Sequence, residues 1–184
     1  LQGADARLGD GRGCHDVLTM KIGLAFSGGK DSLACLLLYR ERLADITVLW
    51  VNTGKTYPEA DELIAIVRAL CPNFVEIKSD RAGQNAREGL PSEVVPIQWT
   101  RTGMQFTGKK PVMVQSYLEC CFENISYPML MKVKELGITH VIRGQRRDEG
   151  HTSPASNGTM CDGVTYLHPI EDWSRDRVLS FIQG

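Results

Sequence analysis

Apolar residues fall into two rhythms along this chain, and the changes between them mark its elements. Residues 21–26, KIGLAF, are a short apolar run that stops at a Ser-Gly-Gly turn, the pattern of a buried strand. A helical spacing follows at once, with Asp31 and Ser32 where caps belong and Leu33, Leu36, Leu37 and Arg40 carrying the pattern to about Leu43. ITVLWV, 46–51, reads as the second strand. The loop NTGKTYP leads to a second helix from about Pro58 to about Leu70, with Pro at an early position and Glu59, Asp61 and Glu62 near its positive end. FVEIK, 74–78, alternates as a third strand. An order of strand, helix, strand, helix, strand implies a parallel sheet.

From Ser79 to about Val114 the periodicity fades, and Gly83, Gly89, Pro91, Pro96, Gly103, Gly108 and Pro111 punctuate the segment. Loops this long in compact domains usually carry function or move. The helical pattern returns over Asn124–Leu136 through Ile125, Leu130, Val133 and Leu136, and Gly137 ends it. THVIRG supplies a fourth strand. A loop over 144–163 then precedes a fifth short strand, VTYLHP, and a last helix from near Ser174. The expected fold is a single Rossmann-like α/β domain, a twisted five-stranded mainly parallel sheet with helices on both faces.

Length and composition narrow this further. A chain of 184 residues buries one sizeable core, and 42% hydrophobic with 23% charged residues is ordinary globular composition. The first nineteen residues are Gly-rich without the apolar centre of a signal peptide. They read as a flexible leader, upstream sequence or a non-native remnant, before a domain spanning 20–184; Cys14 and His15 within it carry no assigned role. No apolar run approaches the roughly 20 residues of a membrane span, so a soluble protein is expected. A net charge of -1 gives no basic footprint, which leaves nucleic acid unsupported as a partner. Six cysteines in a chain this long do not make a disulfide scaffold. Cys35 and Cys71 sit in helical patterns as buried small hydrophobes, and a reducing cytoplasm fits.

The candidate chemistry begins at the turn after the first strand. A strand feeding a Gly-rich turn and then a helix aims several backbone N–H groups and the positive helix end at one spot, where an anion belongs. Gly28 and Gly29 admit a phosphate without a Cβ in the way. Ser27 and Ser32 add hydroxyls, Lys30 adds a point charge, and Asp31 is a candidate ligand for Mg²⁺. The phosphate loop GxxxxGK followed by Ser or Thr does not fit. With Gly29-Lys30 as its GK pair the leading Gly would be Leu24, and the residue after Lys30 is Asp31. No GxGxxG opens the helix either.

SGGKDS after a strand resembles the PP-loop of the adenine-nucleotide α-hydrolase superfamily. The wider match resembles the branch of phosphoadenylyl-sulfate (PAPS) and adenylyl-sulfate reductases and the ATP sulfurylase small subunit. Three further stretches carry it: VNTGKTYPE at 51–59, CCFENISYPML at 120–130, and GQRRDE at 144–149 followed by LHPIEDWSRDRVLSFI at 167–182. The resemblance implies nucleotide contacts from Asn52, Thr53, Gly54, Gly144, Arg146 and Arg147, and catalytic work from Lys30, Asp31 and Arg146. The family usually has Asp where Asn52 stands, which removes a charge. Thr53 also suits a strand-ending turn, and the two arginines also suit a surface pair bridged to Asp148 and Glu149.

Cys120-Cys121 resembles half of the four-iron ligand set of adenylyl-sulfate reductases. No later C-x-x-C pair completes the set, so an iron–sulfur cluster is not expected here. Two thiols at the start of a helix, one buried and one partly exposed, is the preferred reading. Neither a zinc site with His140, His151 or His168 nor a catalytic C-terminal tail is supported, and His168 and Trp173 read as packing residues. The intact SGGKDS favours relatives that cleave ATP between the α and β phosphates, whereas sulfonucleotide reductases generally carry a degenerate loop. The expected activity is therefore adenylyl transfer from ATP with Mg²⁺ to an unidentified acceptor, releasing pyrophosphate. A sulfonucleotide reductase is the alternative. A non-catalytic nucleotide-binding subunit, with a homodimer mate or another subunit as partner, is a third.

Overall fold

The computed structural model describes residues 20–54, 56–108, 112–149 and 156–184. The leader expected over the first nineteen residues, with Cys14 and His15, lies outside them, as does His151. Along the chain come β1 (Ile22–Ala25), α1 (Lys30–Leu38), β2 (Ile46–Asn52), α2 (Pro58–Leu70), β3 (Phe74–Lys78), α3 (Arg81–Glu88), β4 (Leu90–Ser92), α4 (Arg101–Thr107), β5 (Val114–Ser116), α5 (Tyr117–Cys121), α6 (Tyr127–Glu135), β6 (His140–Arg143), β7 (Met160–Cys161), β8 (Val164–Leu167) and α7 (Arg175–Gln183). No helix among the described residues is long and apolar enough to cross a membrane.

The main sheet has the order β3-β2-β1-β6-β8-β7. Five of its strands are the expected parallel ones, and their side chains alternate between two cores as the pleat requires. On one face Leu24, Val48 and Ile142 pack with Ala34 and Cys35 of α1, Ile64 and Val67 of α2 and Val178 of α7. On the other, Leu49, Ile77, Val141 and Val164 pack with Val133 of α6. Cys35 and Cys71 are core residues, as expected. Burial first, and then the charge of Asp31, pushes the Cys35 thiol up to about 12, so it stays protonated.

The sixth strand, β7, was not foreseen. It pairs antiparallel with β8 in a hairpin whose two loop residues, Asp162 and Gly163, have φ of 51° and 77°. Asp-Gly is the preferred pair for such a turn because both residues tolerate positive φ.

The described residues over 79–108 and 112–114 are held by polar contacts rather than by an apolar stripe. Asp80 caps α3 by accepting from the Gly83 N–H at 2.9 Å, and Thr100 caps α4 through Gly103 at 3.0 Å. Gln84, Gln115 and Asn124 are all buried. Gln84 donates to Glu123 at 3.0 Å and accepts from Asn124, whose amide also donates to the Cys120 carbonyl at 2.9 Å. Gln115 donates to the Gly89 carbonyl at 2.6 Å, and β4 and β5 form a separate parallel pair. Satisfied polar groups of this kind fix a structure that hydrophobic periodicity does not reveal.

The helix expected from Asn124 in fact begins at Tyr117, capped by Ser116. It passes through a π-helical turn, Phe122–Ser126, into α6; the Tyr127 N–H bonds the Phe122 carbonyl, five residues back, just before Pro128. Proline lacks the N–H an α-register needs, so the register breaks there. The cysteine pair consequently lies at the end of α5 and not at a helix start, with Cys120 buried and Cys121 exposed. Gly137, at φ 64°, closes α6 as expected: its N–H bonds the Lys134 carbonyl while the Ile138 N–H bonds that of Val133.

One close approach ties the sheet to the first helix. A Cβ on Gly144, just past β6, would stand 2.4 Å from the carbonyl carbon of Asp31 and 2.6 Å from the Ser32 nitrogen, both backbone atoms of α1. Gly144→Ala is expected to destabilise the fold by at least about 1–3 kcal/mol, the usual penalty for forcing packed backbone apart. Urea denaturation monitored by circular dichroism measures this, and an unchanged midpoint would show that strand end and helix separate freely.

Candidate functional site

The chain lays β2 and β3 to one side of β1 and then returns to place β6 on its other side. The strand order therefore reverses between β1 and β6, the position at whose carboxyl edge open α/β sheets form their ligand crevice. A cavity of about 500 Å³ opens there. Ser27, Ser32, Thr53 and Gly144 line its polar side, and Ile125, Met129, Leu130 and Val133 of the π-helical turn and α6 line an apolar wall.

The loop between β1 and α1 is folded by its own serines. Gly28 takes φ 80°, a conformation glycine adopts without strain. The Ser32 hydroxyl donates to the Gly29 carbonyl at 2.8 Å and accepts from the Ser27 N–H at 3.2 Å, while Ser27 Oγ accepts from the Gly29 N–H at 3.3 Å. Gly29 occupies the cap position of α1, and no side chain caps the helix. The N–H groups of the first turn are thus left for an outside acceptor.

Asp31, only 8% exposed, carries a cation on each carboxylate oxygen. Lys30 Nζ lies 2.6 Å from Oδ2 and Arg146 Nε donates to Oδ1 at 2.8 Å. Arg146 is itself 5% exposed and reaches Asp148 at 2.5 Å and Glu149 at 3.6 Å. Burial opposes its charge, but Asp31, Asp148 and Glu149 together hold the guanidinium more firmly protonated than usual. Two expectations meet a different geometry here. Arg146, expected on the nucleotide's anionic part, is engaged by three carboxylates and does not line the cavity. Asp31, expected as a Mg²⁺ ligand, has each carboxylate oxygen in an ion pair, and no group of three or more metal-ligating side chains occurs among the described residues. These residues do not fit a protein-held Mg²⁺; that ion more often arrives bound to the phosphates of its nucleotide.

The remaining expected residues separate in the same way. Thr53 lines the cavity, whereas Asn52 shapes the turn beside it, accepting from the Gly54 N–H at 2.8 Å and donating to Glu76 at 2.7 Å. Bonds from Arg68 and then Asn52 hold the Glu76 carboxyl below its ordinary range, so the neutral Asn52 works as a donor. Arg147 is 70% exposed and faces Asp172 at 3.1 Å and Glu171 at 3.6 Å. The sequence reading missed Arg143, Gln145, Glu149 and Tyr166, all of which line the cavity. An arginine ending a strand otherwise buried on both faces was the available signal for the first of them.

His168 is buried as a packing residue would be, with its backbone N–H donating to Asn157 at 2.8 Å. Its ring Nε2 has no partner among the described residues. Burial, and then repulsion from Arg143, lowers its pKa below the ordinary imidazole value, with Glu171 opposing. The folded state therefore binds this proton less readily than the unfolded chain, and stability falls as the pH drops below about 6.5 toward the folded value. Urea midpoints taken at pH 7.5 and 5.5 should show this fall in the protein and a smaller one in His168→Gln. Equal falls in both would remove His168 as its source.

Comparison with known proteins finds three that this chain is similar to. Phosphoadenylyl-sulfate reductase from Candida auris, solved as a phosphate complex, matches over 91% of this chain and 74% of that one, with a TM-score of 0.59 at 16% identity; this likeness shows the shared fold. A chain described as a predicted subunit of tRNA methyltransferase from Methanocaldococcus jannaschii matches at 15% identity and a TM-score of 0.47, over 89% of this chain and 74% of its own. Argininosuccinate synthase from Rubrobacter xylanophilus is 22% identical over 170 residues, which are 85% of this chain and 36% of that protein, so the chain spans about a third of that relative's length. The family model for the phosphoadenosine phosphosulfate reductase domain matches residues 21–184, so on its sequence as well as its fold this chain belongs to that family.

Proposed function

We propose that this chain binds ATP in the cavity at the β1/β6 edge and transfers its adenylyl group to an acceptor, releasing pyrophosphate. The observation that carries the reading is the uncapped start of α1 behind an unbroken Ser27-Gly28-Gly29-Lys30-Asp31-Ser32 loop, of which Ser27 and Ser32 line a cavity of about 500 Å³. A helix start with free N–H groups attracts phosphate, and the volume is within the usual range for a small-molecule site. A nucleophile of the acceptor attacks the α-phosphorus. The bond from that phosphorus to the bridging oxygen breaks, pyrophosphate leaves with the electron pair, and the nucleophile's proton passes to solvent.

The protein's part in this is placement and charge neutralisation. The loop N–H groups and Lys30 receive the charge that develops on the leaving phosphates. Asp31, anchored by Arg146, keeps Lys30 at the helix start. Thr53 and the wall from α6 suit the nucleoside end of the ligand.

Reduction of a sulfonucleotide to sulfite is the second reading, favoured by the family match and by the likeness in fold to a phosphoadenylyl-sulfate reductase. That chemistry calls for a thiol, and the described residues lining the cavity include no cysteine. ATP, adenylyl sulfate and its 3′-phosphorylated form, each offered with thioredoxin, separate the two readings. Tighter binding of ATP is expected from adenylyl transfer, with pyrophosphate released once an acceptor is supplied, whereas sulfite release without a preference for ATP would install the reductase. Lys30→Ala should weaken ATP binding by about tenfold or more, since a hydrogen bond to a charged group contributes about 1.5–3 kcal/mol. Calorimetry on the folded variant measures it.

A further inference from the structure

Among the described residues lining the cavity, Arg143 is the one cation and Glu149 the one anion. The pleat explains how Arg143 comes to be there. Along β6 the side chains alternate, with Val141 in the core under α6 and Ile142 in the opposite core. Arg143 returns to the α6 side, in register with Ala25, the last residue of β1 before the phosphate loop. Its guanidinium carbon stands 6.0 Å from the centre of the Tyr166 ring, a cation–π contact with another lining residue. The next residue, Gly144, packs directly on the backbone of Asp31. Arg143 therefore lines the cavity one residue before Gly144, which touches the first turn of α1.

The other two arginines of this region are placed differently. Arg146 is buried among Asp31, Asp148 and Glu149, and Arg147 lies on the surface beside Asp172. A triphosphate entering the cavity brings several negative charges out of water, and it requires a cation that faces the same space. A guanidinium has five N–H donors, so Arg143 can take a phosphate oxygen while keeping its contacts within the protein.

We propose that Arg143 is the arginine that contacts the nucleotide's phosphate chain from the cavity side, and that Arg146 is a positioning residue acting through Asp31 on Lys30. The proposal rests on the nucleotide reading of the site and names the side chain that reads its charge. If it holds, the contribution of Arg143 grows with the number of phosphates on the ligand.

Isothermal titration of the full chain with ATP, AMP and adenosine tests this, using the protein, Arg143→Gln and Arg143→Lys. Arg143→Gln should lose about tenfold or more in ATP affinity and less in AMP affinity, with adenosine affinity unchanged; Arg143→Lys should recover part of the loss. A purely structural role would lower all three affinities together and leave the ATP-to-AMP ratio intact, which would overturn the proposal. Unchanged ATP affinity in Arg143→Gln would overturn it while leaving the nucleotide reading in place. Failure of the unmodified protein to bind any of the three would remove both. Thermal melts identify variants that do not fold, and if Arg143→Gln is one of them the ATP-to-AMP ratio of Arg143→Lys decides: a lowered ratio supports the proposal and an unchanged one overturns it.

Discussion

Asp31 joins three parts of this molecule that are distant in sequence. Its carboxylate holds Lys30 beside it on the first turn of α1 and Arg146 from the loop after β6, and its backbone is the surface on which Gly144 packs. The ion pair with Arg146 is buried on both sides. Desolvating two charges is costly, and such a pair holds only while each partner is satisfied; stripping one member from a buried pair typically costs about 3–5 kcal/mol. Asp148 and Glu149 supply that satisfaction for Arg146 and Lys30 supplies it for Asp31. The turn before α1, the first residues of α1 and the residues Gly144 and Arg146 after β6 are thereby tied together.

The sheet supplies the other half of the arrangement. Because β1, β2 and β6 are buried on both faces, their ends can present side chains only at the carboxyl edge or into the two cores. On the α6 side the cavity is lined by Met129 and Val133 and by Ile125 and Ser126. The last two come from the π-helical turn, whose wider register follows from Pro128. The lining is thus apolar along α6 and carries the hydroxyls of Ser27, Ser32 and Thr53 elsewhere. A ligand with a flat apolar end and an anionic end matches that division.

Much of this could be read from residue order alone, for specific reasons. The five parallel strands announce themselves because each is a short apolar run bounded by turns. Gly137 marked the end of α6 because only a residue tolerant of positive φ closes a helix that way. The turn at Ser27–Ser32 was legible because glycine and serine encode its backbone geometry locally. What stayed hidden depends on partners far away in the chain. Nothing near Arg146 reveals that a carboxylate 115 residues earlier will take its Nε, and nothing in RAGQNARE says that Gln84 will be buried against Asn124. The Asp162-Gly163 hairpin is the exception, a local signal overlooked because the strands it joins are too short to show alternation.

The thiols bear on how far membership of the family carries into chemistry. Cys35 and Cys71 are core residues, the first held protonated beside Asp31. Cys120 lies buried under the Asn124 amide, while Cys121 and Cys161 are exposed, the first at the end of α5 and the second on the outermost strand of the sheet. A single fold hosts many reactions, and the reaction is set by the groups that meet the substrate. Among the described residues, the groups that line the cavity here are hydroxyls, one arginine, one glutamate and an apolar wall, and none of them is a thiol. A reductive reaction in the same cavity would need its sulfur nucleophile delivered from beyond the residues that line it, and the nucleotide would then be gripped for presentation rather than for cleavage.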